Sequence, residues 1–110
     1  MIVRPATLDD FRRFYGAPPP MTVRAVVATD ENDEPVGVGG YYLAGSVAVA
    51  FTNHKDMRKR DKVKAARAFM AMLRALPFEV VAGADGDGTA VRHFGFVPAG
   101  ELWRLDRWPR

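Results

Sequence analysis

The chain has 110 residues, of which 48% are hydrophobic and 26% charged, with a formal net charge of +3. This length supports one domain with a real core, so we expect a single domain over residues 1–110. The absence of cysteine excludes disulfides, thiolate metal sites and a cysteine nucleophile. No apolar run approaches the length of a membrane span, and the N-terminal segment lacks the apolar stretch of a signal peptide, so we expect a cytoplasmic protein.

The first half of the chain predicts a strand, a helix and then a three-stranded meander. Thr7 is a good N-cap for a helix that Gly16 closes before a proline run at 17–20. The acidic turn at 30–35 separates two of the predicted strands. The glycine pair Gly39-Gly40 predicts a bulge. The strands are expected at 1–6, 21–29, 36–43 and 46–52.

The second half is dominated by an amphipathic helix that ends before Pro77. Its apolar stripe recurs at helical spacing and consists of Val63, Ala66, Phe69, Met70, Leu73 and Leu76. A strand at 78–84, a short helix at 89–94 and a last strand at 101–107 follow. The order β-α-β-β-β-α-β-α-β predicts an α/β (α+β) fold with a mixed, mostly antiparallel sheet of about six strands and three helices.

Cations crowd the start of the long helix, where Lys55, Arg58, Lys59, Arg60, Lys62 and Lys64 fall within ten residues. A helix N-terminus carries partial positive charge and free N–H groups, so these cations cost stability unless an anion binds. The pattern indicates a phosphate site at the carboxyl edge of a strand. The alternative is a solvated basic face that binds nothing. Asp56 and Asp61 are the candidate caps.

Three segments together resemble the GCN5-related N-acetyltransferase superfamily. IVRPATLDDF is similar to its opening strand and helix, and SVAVAFTNHKDMRKRDKVKAARAFMAML to its central strand, pyrophosphate loop and following helix. FEVVAGADGDGTAVRHFGFVPAGELWRL resembles its closing segment, which contains the pair Gly95-Phe96. The resemblance implies a GNAT-like (acyl-CoA N-acyltransferase) fold. The compact form is most similar to members encoded by bacteriophages and prophages.

The resemblance also implies acetyl-CoA (coenzyme A) as cosubstrate and an amine acceptor that is a small molecule or a protein. No metal is expected, because His54, His93 and the scattered carboxylates do not have metal-ligand spacing. The central-strand residues Val49, Ala50 and Phe51 would hydrogen-bond the pantetheine arm. The pyrophosphate would be held by the loop and helix start, namely Arg58, Lys59, Arg60, Asp61, Lys62 and Val63. A homodimer is left open.

Two features of the family pattern, the loop glycines and the tyrosine acid, are missing. The family loop reads Arg/Gln-x-x-Gly-x-Gly/Ala, whereas alignment from Arg58 places Asp61 and Val63 at the glycine positions, and alignment from Arg60 places Val63 and Ala65 there. The family's tyrosine acid, four residues before the Gly-Phe pair, is replaced by Val91.

The candidates that remain for acid–base work are His93 and Glu79. An imidazole titrates near neutral pH, and a carboxylate near the acceptor amine would serve as a base.

The first hypothesis is therefore an acetyl-CoA-dependent N-acetyltransferase. The alternative is a catalytically inactive GNAT-fold phage or prophage protein that acts as a structural or protein-binding module. Nucleic-acid binding ranks last, because the basic run lacks interleaved aromatic residues for stacking.

Overall fold

A computed structural model describes residues 1–83 and 92–106. These residues form one seven-stranded sheet in the order β1-β2-β3-β4-β5-β7-β6, in which only β4 and β5 pair in parallel. The strands are β1 Ile2–Pro5, β2 Arg24–Thr29, β3 Pro35–Ala44, β4 Val47–His54, β5 Glu79–Ala82, β6 Phe96–Ala99 and β7 Leu102–Leu105. The helices are α1 Leu8–Tyr15 and α2 Lys59–Arg74. The mixed, mostly antiparallel fold predicted from the sequence is confirmed.

Two details of the prediction were wrong. The sheet has a seventh strand, because Gly95 (φ 93°) and Gly100 (φ 68°) adopt left-handed turns that let residues 96–99 pair with β7 instead of forming a connection. The predicted bulge at Gly39-Gly40 is absent, since the β3–β4 register runs unbroken through both glycines. The irregularity lies instead between Ala28 and Thr29. Most of the short helix predicted at 89–94 lies outside the described residues.

The first helix is fixed to the sheet by a capping box that doubles as an ion-pair site. Thr7 Oγ1 accepts the Asp10 N–H (3.2 Å), and Asp10 Oδ2 accepts the Thr7 N–H (2.7 Å). The guanidinium of Arg4 on β1 binds both oxygens of Asp10 at 2.7 and 2.9 Å. Gly16 closes the helix with a left-handed C-cap. The predicted caps are therefore confirmed, with Arg4 as the partner that the sequence did not reveal.

The two helices cover opposite faces of the sheet. Phe11 of α1 packs on Val27 and Val38. On the other face, α2 packs on the central strands, and the buried residues are Ala48, Ala50, Phe69, Leu73, Val80, Ala82, Phe96 and Leu105. In the described part of the chain, no helix is long and apolar enough to cross a membrane.

Close packing explains why β3 carries a glycine under α2. A Cβ added to Gly39 would lie 2.7 Å from Cδ1 of Phe69. We expect Gly39→Ala to lower the free energy of unfolding by about 1–3 kcal/mol, because the ring or the helix must move. Urea denaturation measures the change. Gly83→Ala is the matched control, since an added Cβ there meets nothing within 4 Å. A loss for Gly39→Ala no larger than for this control would contradict the packing.

The Arg4–Asp10 pair makes stability depend on acid pH. Hydrogen bonds from Arg4, and secondarily from Thr7, lower the pKa of Asp10 to about 2 against the opposing effect of burial. Because the pKa of Asp10 is lower in the folded protein than in the unfolded chain, its ionised carboxylate stabilises the fold at pH values above the unfolded-state pKa. This stabilisation is lost as pH falls from about 4 to about 2. The contribution is about 2 kcal/mol.

Asp10→Asn should remove this component, so the variant's free energy of unfolding should fall less steeply between pH 4 and pH 2 than that of the wild type. Asp9→Asn, which removes an exposed carboxylate from the same turn, serves as the control. If the free energies of unfolding of the wild type and Asp10→Asn change in parallel with pH, the Arg4–Asp10 pair does not lower the pKa of Asp10.

Candidate functional site

The central strand β4 is longer than its parallel neighbour. Pairing with β5 ends at Ala50 and Ala82, yet β4 continues to His54 alongside β3. Beyond Ala50, the edge of β4 that faces β5 has no strand partner among residues 1–83 and 92–106. The two strands therefore leave an opening in the sheet at residues 51–54.

The hydrogen-bond alternation shows which backbone groups face this opening. The Lys55 N–H donates to the Val36 carbonyl on β3 at 2.8 Å. Bonded and non-bonded pairs alternate along an antiparallel ladder, so Asn53 also bonds to β3. The N–H and C=O groups of Thr52 and His54 consequently point away from β3 and into the opening. They form a short row of donors and acceptors for an extended ligand.

Four residues separate the end of β4 from the start of α2. Its N-cap is Arg58, whose side chain makes no capping hydrogen bond. The expectation that Asp56 or Asp61 occupies the N-cap position was wrong: Asp56 lies in the loop, and Asp61 lies in the first turn of the helix. Because no side chain of the N-cap residue covers them, the first-turn N–H groups are available to an anion.

The structure divides the basic run between two surfaces. Arg58 and Arg60 line a polar groove together with acidic residues, namely Asp30, Glu31, Asp56 and Asp61. Lys62 instead lines an apolar cavity next to β4. Lys59 and Val63 are exposed on the first turns of α2. Lys64 donates to the Met1 carbonyl at 3.1 Å, so its ammonium group is held next to the first residue of the chain. Of the four cations proposed for phosphate, Lys62 is the one that shares a surface with the open edge.

A polar pair lies on the α1 side of the same opening. Asn53 Nδ2 donates to the Tyr15 hydroxyl at 2.8 Å, and Lys55 Nζ lies 4.5 Å from the centroid of the Phe14 ring. Burial raises the pKa of Tyr15, and the bond from Asn53 partly opposes this effect. Sequence reasoning missed this pair, because its members are 38 residues apart and no local pattern links them.

The predicted acid–base candidates lie in different places. Glu79 begins β5 opposite Val47, three residues before β5 ends, and is therefore roughly 10 Å from the opening. It lies 3.9 Å from Arg104 Nε. His93 is exposed and meets the Phe94 ring edge-on at 5.7 Å between centroids. Phe94 lines the apolar cavity, whereas neither His93 nor Glu79 does. Val91 lies outside the described residues.

Among residues 1–83 and 92–106, no group of three or more His, Asp or Glu side chains is placed to hold a metal ion.

No protein-family model matches this sequence, and no curated protein is significantly similar to it. Solved structures do match. Spermidine N-acetyltransferase SpeG from Vibrio cholerae aligns with a TM-score of 0.62 and 11% identity over 94% of this chain and 92% of its own. A chimaeric form of SpeG gives a TM-score of 0.61 and 13% identity over 96% and 95%.

A cAMP-binding acyltransferase from Mycobacterium smegmatis aligns over 97% of this chain with a TM-score of 0.59 and 12% identity. The chain spans 44% of that protein. At these identities the likeness concerns the architecture. The chain therefore has the acyl-CoA N-acyltransferase fold of the GCN5-related N-acetyltransferases.

Proposed function

We propose that the protein is an acetyl-CoA-dependent N-acetyltransferase that acts on an amine. One observation carries the proposal: the free edge of β4 runs directly into the uncapped, basic N-terminus of α2. The free main-chain groups of β4, followed by the N–H groups at the start of α2, match an extended ligand that bears amides and ends in a diphosphate. The structural neighbours that transfer acetyl groups to spermidine support the same chemistry.

The residues at the opening fit the pantetheine arm. Two successive outward-facing residues of β4, Thr52 and His54, offer N–H and C=O groups at the spacing of a neighbouring strand. Ala50 has β5 as its neighbour on that side, and Val49 bonds towards β3. We therefore propose that the pantetheine contacts are the main-chain groups of Thr52 and His54, because Phe51, like Val49, bonds towards β3.

The helix start fits the diphosphate without the family's glycines. The N–H groups of the first turn of α2 and the partial charge of the helix favour an anion there. Lys62 would add positive charge from the side of the cavity, and Lys59 from the exposed first turn. Arg58 would add a third positive charge at the N-cap. Asp61 lines the polar groove and not the cavity, so its carboxylate is on a different surface from Lys62.

Bound acetyl-CoA would supply an activated acyl thioester. The chain's own contribution is mainly positioning, which accounts for much of the rate in such reactions. An outward N–H of Thr52 or His54 is suited to stabilise negative charge on the thioester oxygen. His93 stays a candidate for protonating the leaving thiolate, and His54 joins it because it lies at the free edge itself. The amine would approach from the α1 side, where Tyr15 and Asn53 present polar atoms.

The proposal predicts acetyl-CoA binding that depends on both ends of the site. Calorimetric titration should give micromolar affinity for acetyl-CoA and much weaker binding of ATP, which lacks the pantetheine arm; 3′-dephospho-CoA measures the 3′-phosphate contribution. Lys62→Ala should weaken acetyl-CoA about tenfold, the usual size of a charge-assisted contact. Arg67→Ala removes a charge from an exposed position of the same helix and is the matched control.

Equal affinities for both variants and the wild type would place the phosphates elsewhere. No binding at millimolar acetyl-CoA would rule out the enzyme and leave the fold.

Hydrogen exchange tests the free edge residue by residue. In the ligand-free protein, the amides of Thr52 and His54 should exchange faster than those of Phe51 and Asn53, which donate to β3. Acetyl-CoA should slow the exchange of Thr52 and His54 selectively. Nuclear magnetic resonance on the assigned protein resolves the four amides. Equal protection of all four before ligand is added would mean that the edge is already paired.

A further inference from the structure

The two faces of the central sheet are covered differently. On β4 and β5, the buried core residues that pack with α2 are Ala48, Ala50, Val80 and Ala82. Because side chains alternate along a strand, Val49 and Val81 lie on the opposite face, the side of α1. α1 packs on β2 and β3 and contacts β4 at Phe51 and Asn53. Neither core cluster of the described residues includes Val49 or Val81.

A row of three side chains crosses this face next to the opening. Tyr42 on β3 lies opposite Val49 on β4, and Val49 lies opposite Val81 on β5. All three are partly exposed. Neighbouring strands are about 4.8 Å apart, so the Tyr42–Val49–Val81 row is roughly 10 Å wide. Phe51 follows on the same face, one position nearer the opening.

The direction of the donor along β4 determines where its thioester lies. The start of α2, proposed for the diphosphate, follows the C-terminal end of β4. From there the pantetheine arm runs back past His54 and Thr52 towards Ala50, where the pairing of β4 with β5 ends. The thioester therefore lies towards this closed end of the opening.

At the closed end, the α2 face of the sheet is already filled. Ala50 and Ala82, the last pair of β4 and β5, are each 7% exposed. They lie in the core that includes Phe69 and Leu73 of α2. An acceptor amine consequently reaches the thioester from the α1 side, across the Tyr42–Val49–Val81 row.

We propose that the acceptor is a primary amine attached to a small aromatic or aliphatic group, and that this group lies on the Tyr42–Val49–Val81 row. The inference rests on the proposed function, because it assumes that acetyl-CoA lies along β4. An aromatic ring with a short linker matches the apolar character and the width of the row.

The same row disfavours a polyamine. Each ammonium group of a polyamine loses water on binding and needs an acceptor such as a carboxylate in return. The three residues of the row offer none. Glu79, the one acidic residue of β5, lies two residues before Val81 and 3.9 Å from Arg104 Nε. It is therefore shared with a cation of the protein itself.

In the transfer step, the neutral amine nitrogen attacks the thioester carbon. A C–N bond forms and the C–S bond breaks, and the sulfur leaves with the bonding electron pair. The proton lost by the nitrogen balances the one gained by the thiolate, so the products are an N-acetyl amide and CoA. The free thiol of CoA is the quantity that the assay measures.

The test has two stages with separate readouts. Calorimetric titration first measures the binding of acetyl-CoA. Release of the CoA thiol then gives kcat/KM for 2-phenylethylamine, hexylamine and spermidine as acceptors. We expect kcat/KM for 2-phenylethylamine and for hexylamine to exceed that for spermidine at least tenfold.

Variants of the row test where the acceptor lies. Tyr42→Ala should lower kcat/KM for 2-phenylethylamine about tenfold, because it removes an aromatic contact. Val81→Glu should lower the ratio of 2-phenylethylamine to spermidine at least tenfold, because it adds a carboxylate to the row. Val97→Glu makes the same change on the same face, two strands and about 10 Å beyond Val81, and should leave the ratio unchanged.

The outcomes separate the two claims. A preference for the apolar amines that Tyr42→Ala and Val81→Glu reduce, and Val97→Glu does not, supports the acceptor class. If acetyl-CoA binds but spermidine is used equally well, none of the amines is acetylated, or neither row variant changes the preference, the inference is overturned and the donor site stands. Failure of acetyl-CoA to bind overturns the proposed function and the inference together. Tyr42→Ala keeps the test decisive if Val81→Glu folds poorly.

Discussion

The end of β4–β5 pairing at Ala50 is the constraint on which the rest of the site depends. In a continuous sheet, the N–H and C=O groups of the next residues would be used by a neighbouring strand. Here β5 ends at Ala82, and its other edge pairs with β7. The main-chain N–H and C=O groups of Thr52 and His54 therefore remain available to a ligand. The crossover from β4 to the parallel strand β5 then places the N-terminus of α2 at the end of β4. The opening and the helix start are thus two consequences of one chain path.

The glycines of β3 have a role that the sequence pattern did not reveal. They looked like the mark of a bulge, but they lie in an unbroken register and permit close packing on α2 and on β2. At Gly39, the ring of Phe69 occupies the space of the missing side chain. Nearer the start of the strand, the Met57 sulfur lies at Gly37, 3.1 Å from where a Cβ would be. Both glycines thus let a large side chain approach the strand closely, and both line the apolar cavity.

Patterns that are local in the sequence predicted local structure well. The capping box at Thr7, the left-handed Gly16 and the apolar stripe of α2 all follow from short-range rules, and the structure shows them. The order of elements and the resemblance to the acetyltransferases were enough to predict the mixed sheet. The cytoplasmic location, the oligomeric state and the phage-type relationship stay predictions.

Contacts that depend on tertiary register were not predictable from the sequence. The position where β4 separates from β5 depends on strand lengths that differ by a few residues. We therefore propose contacts at Thr52 and His54 in place of the expected pantetheine contacts at Val49, Ala50 and Phe51. The pairing of Asn53 with Tyr15 and of Arg4 with Asp10 likewise joins separate elements. The sequence suggested that the basic run forms a single positive patch. In the structure, Arg58 and Arg60 line a polar groove with acidic residues, whereas Lys62 lines the apolar cavity.

A crystal structure with coenzyme A bound tests the central claim most directly. The account predicts pantetheine oxygens or nitrogens within 2.7–3.2 Å of the main-chain N or O atoms of Thr52 or His54, and the diphosphate at the first turn of α2. A complex in which coenzyme A lies away from β4, or in which another segment of the chain occupies this edge, would contradict it.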